Sequence, residues 1–159
     1  MKEPNALNDV AEFHRTFDLP VLEKPQMPGM KRRKLRINLL EEELEELKQA
    51  VDEEDLEAIS DALCDLQYVL SGAVLEFGLG NKFKALFDEV QRSNMSKVCN
   101  TRAEAEETQR IYDRVEGVQS RVSSKNENCF LVHRISDGKV LKSMQYSPPD
   151  LKRILNCAE

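Results

Sequence analysis

The stretch Leu39-Leu40-Glu41-Glu42-Glu43-Leu44-Glu45-Glu46-Leu47 decides how this chain folds. Aliphatic residues recur in it at three- and four-residue steps, the period of a helix. At about 100° per residue, Ile37, Leu40, Leu44, Leu47 and Val51 share one predicted core face, which Leu39 and Ala50 widen on one flank. The acids around that face form two populations. Glu41 and Glu45 lie on the far side with Lys48 and Gln49, where water solvates them. Glu43 instead falls between the apolar groups, Glu46 borders their flank and Glu42 lies just beyond it. A carboxylate at a core edge is costly without a partner, and a metal cation is a common one.

Ile59-Ser60-Asp61-Ala62-Leu63-Cys64-Asp65-Leu66 repeats the pattern. Ile59, Leu63, Leu66, Leu70 and Phe77 make the predicted stripe, flanked by Ala58, Ala62 and Val69, with Asp65 at the edge of that flank. Asp61 stands one turn before Asp65 on the same face, and like charges so placed repel unless something neutralises them. The spacing predicts helices over about 31–52 and 54–77. Their short connection makes them antiparallel neighbours, so the two acid-bearing faces meet across one cleft.

Composition limits the rest. A chain of 159 residues, 40% hydrophobic and 33% charged, suits one helical domain with its own core. No apolar run approaches the ~18 residues of a membrane span, the N-terminus does not resemble a secretory signal, and a cytosolic setting is expected. The four cysteines, Cys64, Cys99, Cys129 and Cys157, are scattered without metal-ligand spacing and read as reduced thiols. A net charge of −6 argues against a general nucleic-acid binder. The basic run Lys31-Arg32-Arg33-Lys34 with Arg36 reads first as a solvated helix start, and second as a patch steering a phosphorylated ligand toward the acids.

Along the chain, Leu7, Val10, Ala11, Phe13 and Phe17 predict a modest first helix, which Pro20, Pro25, Pro28 and Gly29 break. Gly78 and Gly80 mark a turn, and Phe83, Leu86, Phe87 and Val90 predict a third core helix. Thr101-Arg102-Ala103-Glu104 has the form of a capping box, opening a polar helix that should fade near Gly117. Phe130-Leu131-Val132 and Val140-Leu141 flank Asp137-Gly138, the strongest hairpin signal in the chain. Ser147-Pro148-Pro149-Asp150 reads as a helix start, with prolines in its first turn. The expected fold is all-α, an antiparallel helical bundle over about 1–117, followed by a small β-hairpin and short terminal helix over about 128–157, all in a single domain spanning 1–159.

Together these residues resemble the MazG-like all-α nucleoside triphosphate pyrophosphohydrolases, in their phosphoribosyl-ATP pyrophosphohydrolase-like branch. Glu-Glu-x-x-Glu-Leu-x-x-Ala at 42–50 and Asp-Ala-Leu-Cys-Asp-Leu at 61–66 carry the resemblance. Phe13-His14, Arg36, Gln67-Tyr68-Val69 with Gly72, Ser93-Asn94-Met95-Ser96-Lys97, Gly138-Lys139-Val140-Leu141-Lys142 and Tyr146-Ser147-Pro148-Pro149-Asp150-Leu151 extend it over most of the chain, except 99–128. It implies Mg²⁺ ligands at Glu43, Glu46 and Asp65, with Mn²⁺ able to substitute. Where the common pattern has Glu three residues before the aspartate, this chain has Ala62, and Asp61, one position earlier, is the candidate to replace that ligand or to bind the ion through water.

The resemblance further implies cleavage of a nucleotide to monophosphate and pyrophosphate. That reaction requires neutralised phosphates and an oriented water. Glu42 is the candidate for positioning or deprotonating the water, Lys97 and Lys142 for contacting phosphate oxygens, and Asn94 for sugar or phosphate. His14 reads as a packing residue near the cleft. A homodimer or higher oligomer is expected, because a second copy can complete a short bundle with an open cleft. The competing reading is a non-catalytic module that binds nucleotide and Mg²⁺, or uses the same helices for assembly. A di-iron carboxylate bundle is disfavoured, since it needs Glu-x-x-His on two helices and the chain has none.

Overall fold

The helical periods read from the sequence become six α-helices and one antiparallel hairpin in the computed structural model, which describes residues 1–157 apart from the Glu116 side chain. The chain divides into two compact units, Met1–Phe83 and Lys84 onward.

The first unit holds α1 (Ala6–Thr16), α2 (Met30–Asp52) and α3 (Leu56–Glu76). Asp55 caps α3, accepting hydrogen bonds from the amides of Glu57 and Ala58 at 2.9 and 3.1 Å, which satisfies donors that the first turn leaves orphaned. The connection of α2 to α3 is tight, with Asp55 N–H donating to Ala50 O at 3.0 Å. The two long helices therefore run antiparallel, and Arg32 near the start of α2 meets Glu76 at the end of α3. Val10 and Ala11 of α1 pack on Leu75. The proline-rich segment after α1 straps the end of α3, with Leu22 N–H donating to Leu75 O and Gln26 N–H to Phe77 O.

The helices form where the sequence predicts, but their buried faces are rotated. On α2 the buried or half-buried positions include Arg36, Leu39, Glu43 and Ala50, whereas Ile37, Leu44 and Val51 are exposed. On α3 the inward positions include Ala58, Ala62, Val69 and Gly72, whereas Leu56, Leu63 and Leu70 are exposed. Each helix thus buries its small-residue flank, while Leu40 and Leu47 on α2 and Ile59 and Leu66 on α3 keep part of the predicted stripe half-buried. Small side chains let the helices approach closely, and the flank that does so is the one carrying the acids. By length and composition α3 is also apolar enough to cross a membrane, contrary to the expectation that no stretch is. Its Asp61 and Asp65 and the burial of its Ser71–Glu76 end mark it as an amphipathic helix packed within this unit.

In the second unit, α4 (Phe83–Met95) buries Leu86, Glu89 and Ser93, while Phe87 and Val90, predicted for the core, are exposed. The capping box before α5 (Arg102–Ile111) forms in a shifted version: Glu104 N–H donates to Thr101 Oγ1 at 3.2 Å, and the Glu104 carboxylate accepts from Asn100 N–H at 2.8 Å. A π-helical turn extends α5 to Gly117, whose φ of 63° ends it as predicted. The hairpin differs from the one expected. Strand β2 (Cys129–Arg134) contains Phe130–Val132 but pairs with β1 (Ser120–Asn126), a polar strand whose pattern gave no signal. Asp137-Gly138 does turn the chain, but the turn yields only the bridge between His133 and Val140. Cys99, Ala105, Val132 and Leu141 form the core of this unit. The last helix, α6 (Leu151–Asn156), starts after the prolines with Asp150 as its cap, so Pro148 and Pro149 precede the first turn.

Gly78 shows how closely the strap passes. Its φ is +67°, and a Cβ there would lie 1.9 Å from the Lys24 carbonyl oxygen. Gly78→Ala is expected to lower unfolding free energy by about 2–4 kcal/mol in urea denaturation, and an unchanged midpoint would refute this packing.

Candidate active site

Glu43 is the half-buried centre of the acids on α2 and α3. Burial pushes its carboxyl above the usual carboxylate range, and the charges of Asp65, Glu46, Glu42 and Asp61 push the same way. Every acid singled out in the sequence therefore bears electrostatically on one point. Glu42, Glu46, Asp61 and Asp65 are themselves exposed. Glu43 and Asp65 line one cavity of about 310 Å³, whereas Asp61 lines a separate, open hollow of about 590 Å³ with Asp55, Glu57 and Cys64. Ala62 is buried, 3% exposed, on the helix–helix face.

Among the described residues no three His, Cys, Asp or Glu side chains are grouped to hold a metal ion. The donor chemistry still fits a hard divalent cation. These are charged oxygen donors whose mutual repulsion an ion would relieve, and Mg²⁺ typically takes only one or two carboxylates while keeping waters and substrate phosphates.

The cavity's other end is basic. Arg32, Arg36 and His14 line it together with Glu43 and Asp65, and behind them lies Glu76, fully buried. Arg32 donates to Glu76 through Nε at 2.9 Å and through Nη2, and Arg36 donates through Nη2 at 2.5 Å. Burial pushes the Glu76 carboxyl up, but the hydrogen bonds from Arg32 and Arg36 outweigh it and hold the group below the ordinary range. His14 Nδ1 lies 2.8 Å from Pro20 O, and its Nε2 lies 3.2 Å from Arg36 Nη2. A carbonyl only accepts and a guanidinium only donates, so His14 is neutral, with the proton on Nδ1 and the Nε2 lone pair facing Arg36. Gly72 makes room for this arrangement: a Cβ there would lie 2.6 Å from Arg36 Nη1 and 3.0 Å from His14 Nε2.

Sequence reasoning missed Glu76 and gave Arg32 first to a solvated helix start. The signal existed, since Glu76 occupies the same flank of α3 as Ala58, Ala62 and Val69 and sits in the apolar run Ala73-Val74-Leu75-Glu76-Phe77. The remaining predicted residues belong to the second unit. Asn94 Oδ1 accepts a hydrogen bond from Lys97 Nζ at 2.8 Å, and Lys142 Nζ lies 4.4 Å from the ring centre of Tyr146, a cation–π distance. Two of the resembling motifs meet there: Ser143 Oγ donates to Ser96 O at 2.8 Å, Ser147 N–H to Ser96 Oγ at 2.9 Å, and Asp150 N–H to Glu89 at 2.8 Å. Hydrogen bonds from Arg92 and the Asp150 amide pull the Glu89 carboxyl down to about 2.

Residues 10–94, more than half of the chain, match the family model described as phosphoribosyl-ATP pyrophosphohydrolase. The chain belongs to this family. The phosphoribosyl-ATP pyrophosphohydrolase match runs through Glu42, Glu43, Glu46, Asp61 and Asp65 and ends at Asn94, before Lys97 and Lys142. A curated relative, Uncharacterized protein L479 of Acanthamoeba polyphaga mimivirus, is 29% identical over 86% of this chain and 61% of its own length. The chain thus spans about three fifths of that relative.

Because the Glu43 carboxyl is raised in the fold, its ionised form opposes folding above the ordinary Glu range, and the effect vanishes as pH falls and the group is protonated. Glu43→Gln is therefore expected to raise the thermal midpoint at pH 7 without added metal, with the gain shrinking toward pH 4. A loss of stability at pH 7 would contradict this electrostatic account.

Proposed function

We propose that the protein is a Mg²⁺-dependent hydrolase that releases pyrophosphate from a nucleoside triphosphate or related nucleotide, leaving the monophosphate. One observation carries the reading: Asp65 and half-buried Glu43, from neighbouring helices, line one cavity, within the segment that matches the family. Glu43, Glu46 and Asp65 would hold the ion, or Mn²⁺ in its place, and Asp61, one position before the Ala62 that replaces the usual acid, is the stand-in or binds the ion through water. When bound, the ion supplies charge neutralisation at the phosphates. Glu42, exposed beside Glu43, takes the role of orienting the attacking water and accepting its proton. Asn94, Lys97 and Lys142 keep the roles that the resemblance implies, as contacts to phosphate or sugar oxygens. A nucleotide- and Mg²⁺-binding module without turnover is the second reading, favoured by the buried alanine at position 62.

The test is pyrophosphate release from canonical and modified nucleoside triphosphates and phosphoribosyl nucleotides, with and without Mg²⁺. Metal-dependent release is expected from some members. Glu43→Gln should abolish it with helical content intact, and Glu42→Gln should slow it by about a hundredfold or more. Mg²⁺ binding with no release from any member would establish the second reading instead.

The same proposal includes a second copy of the chain. Ile37, Leu44 and Val51 on α2 and Leu56, Leu63 and Leu70 on α3 recur at seven-residue intervals and are exposed. An antiparallel helix pair with such a face is suited to packing against its own twofold copy, which would bury both stripes in a four-helix bundle. Sedimentation should give a dimer or larger, and Leu63→Glu with Leu70→Glu should give monomers; a monomeric wild type would refute this.

A further inference from the structure

The basic end of the cavity is overbuilt for a structural ion pair. One guanidinium suffices to neutralise a buried carboxylate, yet Glu76 receives two. With His14 neutral, the group of Arg32, Arg36, Glu76 and His14 carries one surplus positive charge, and Arg36 is only 6% exposed. A surplus buried cation is unfavourable unless an anion compensates it.

The donors are also incompletely used. A guanidinium has N–H groups on two usable edges. Arg32 spends its Nε and Nη2 edge on Glu76, which leaves Nη1 open at a side chain 32% exposed on the cavity wall. Arg36 spends both Nη2 hydrogens on Glu76 and His14, and its buried Nε has no partner. Neither head is free to swing. Glu76 fixes both, His14 fixes Arg36 from α1, and the Gly72 backbone lies behind it. Fixed forks of this kind suit tetrahedral oxyanions, which they grip through paired N–H groups.

We infer that Arg32, held in place by Glu76 and backed by the buried charge of Arg36, forms a phosphate-binding subsite that takes the oxygens of a polyphosphate at the end of the cavity opposite Glu43 and Asp65. The inference rests on the proposed hydrolysis for its substrate class and deepens it. The cavity then has two functional ends, carboxylates for a cation and guanidinium groups for the anion. Arg32 touches the phosphate, and Glu76 and His14 act as positioning residues.

The experiment compares the full-length wild type with Arg32→Gln and Arg32→Lys. Binding of inorganic pyrophosphate in the presence of Mg²⁺ is measured by calorimetry, alongside KM and kcat for whichever triphosphate the wild type cleaves. Arg32→Gln is expected to weaken pyrophosphate binding and raise KM by about tenfold to a hundredfold, and Arg32→Lys to recover part of the loss because it keeps the charge without the fork. Should Arg32→Gln fail to fold, Arg32→Lys carries the test alone, with weakened binding expected. Unchanged binding and KM in a folded variant, or a wild type that binds no pyrophosphate, would overturn the subsite. Arg32-dependent pyrophosphate binding by a protein that hydrolyses nothing would keep the subsite and discard the proposed activity, whereas normal hydrolysis by Arg32→Gln would do the reverse.

Discussion

The first unit depends on a single buried carboxylate. Glu76 is fully enclosed within the apolar run Ala73–Phe77 that ends α3, and Arg32 and Arg36 reach its charge from the neighbouring helix. Arg36 in turn carries His14, so one carboxylate ties α1, α2 and α3 together. Removing one partner from such a group strands the others in a low-dielectric environment, a loss of roughly 3–5 kcal/mol. The arrangement sets helix register as well as stability, since Glu76 meets Arg32 only if Glu43 also comes level with Asp65.

That register creates the polarity of the cavity. The same helix pair places a carboxylate pair at one end and a guanidinium pair at the other, separated by aliphatic wall residues such as Leu39 and Val69. Burial, reinforced by the crowded acids, raises Glu43, and the arginines are strong enough to lower Glu76 against its burial. Two glutamates on neighbouring helices thus shift in opposite directions because their neighbours have opposite signs. Neither shift is dictated by burial alone, which pushes both upward.

Some helix boundaries were legible because local chemistry specifies them, Gly117 as a stop and the Thr101–Glu104 box, whereas the cap that Asp55 supplies to α3 went unread. That Glu43 and Asp65 face one cavity follows from their place on the flank of each stripe, whereas Asp61 lines a separate hollow. What could not be read was which face each helix buries. Large aliphatics defined the obvious stripe, but the contact uses Ala50, Ala62 and Gly72, because small residues permit the approach that the Arg36–Glu76 pair requires. Strand β1 was illegible for another reason. Ser120-Arg121-Val122-Ser123-Ser124 has neither alternation nor β-branched enrichment, and its pairing is supplied by β2 and by the Asp113 carboxylate that accepts from the Ser120 amide and hydroxyl.

Ser96 has a consequence of a different kind. Its hydroxyl and carbonyl join a motif at the end of α4 to one about fifty residues later, with Ser93 and Tyr146 forming a parallel bond at 3.3 Å. Ser93 and Tyr146 meet side chain to side chain, so a substitution at either removes the other's partner, whereas the Ser96 bonds with Ser143 and Ser147 each have a main-chain group at one end. In lineages descended from a common ancestor, positions 93 and 146 should therefore change together, while Thr108, which accepts from the Met144 amide, ties the intervening helix to the same seam.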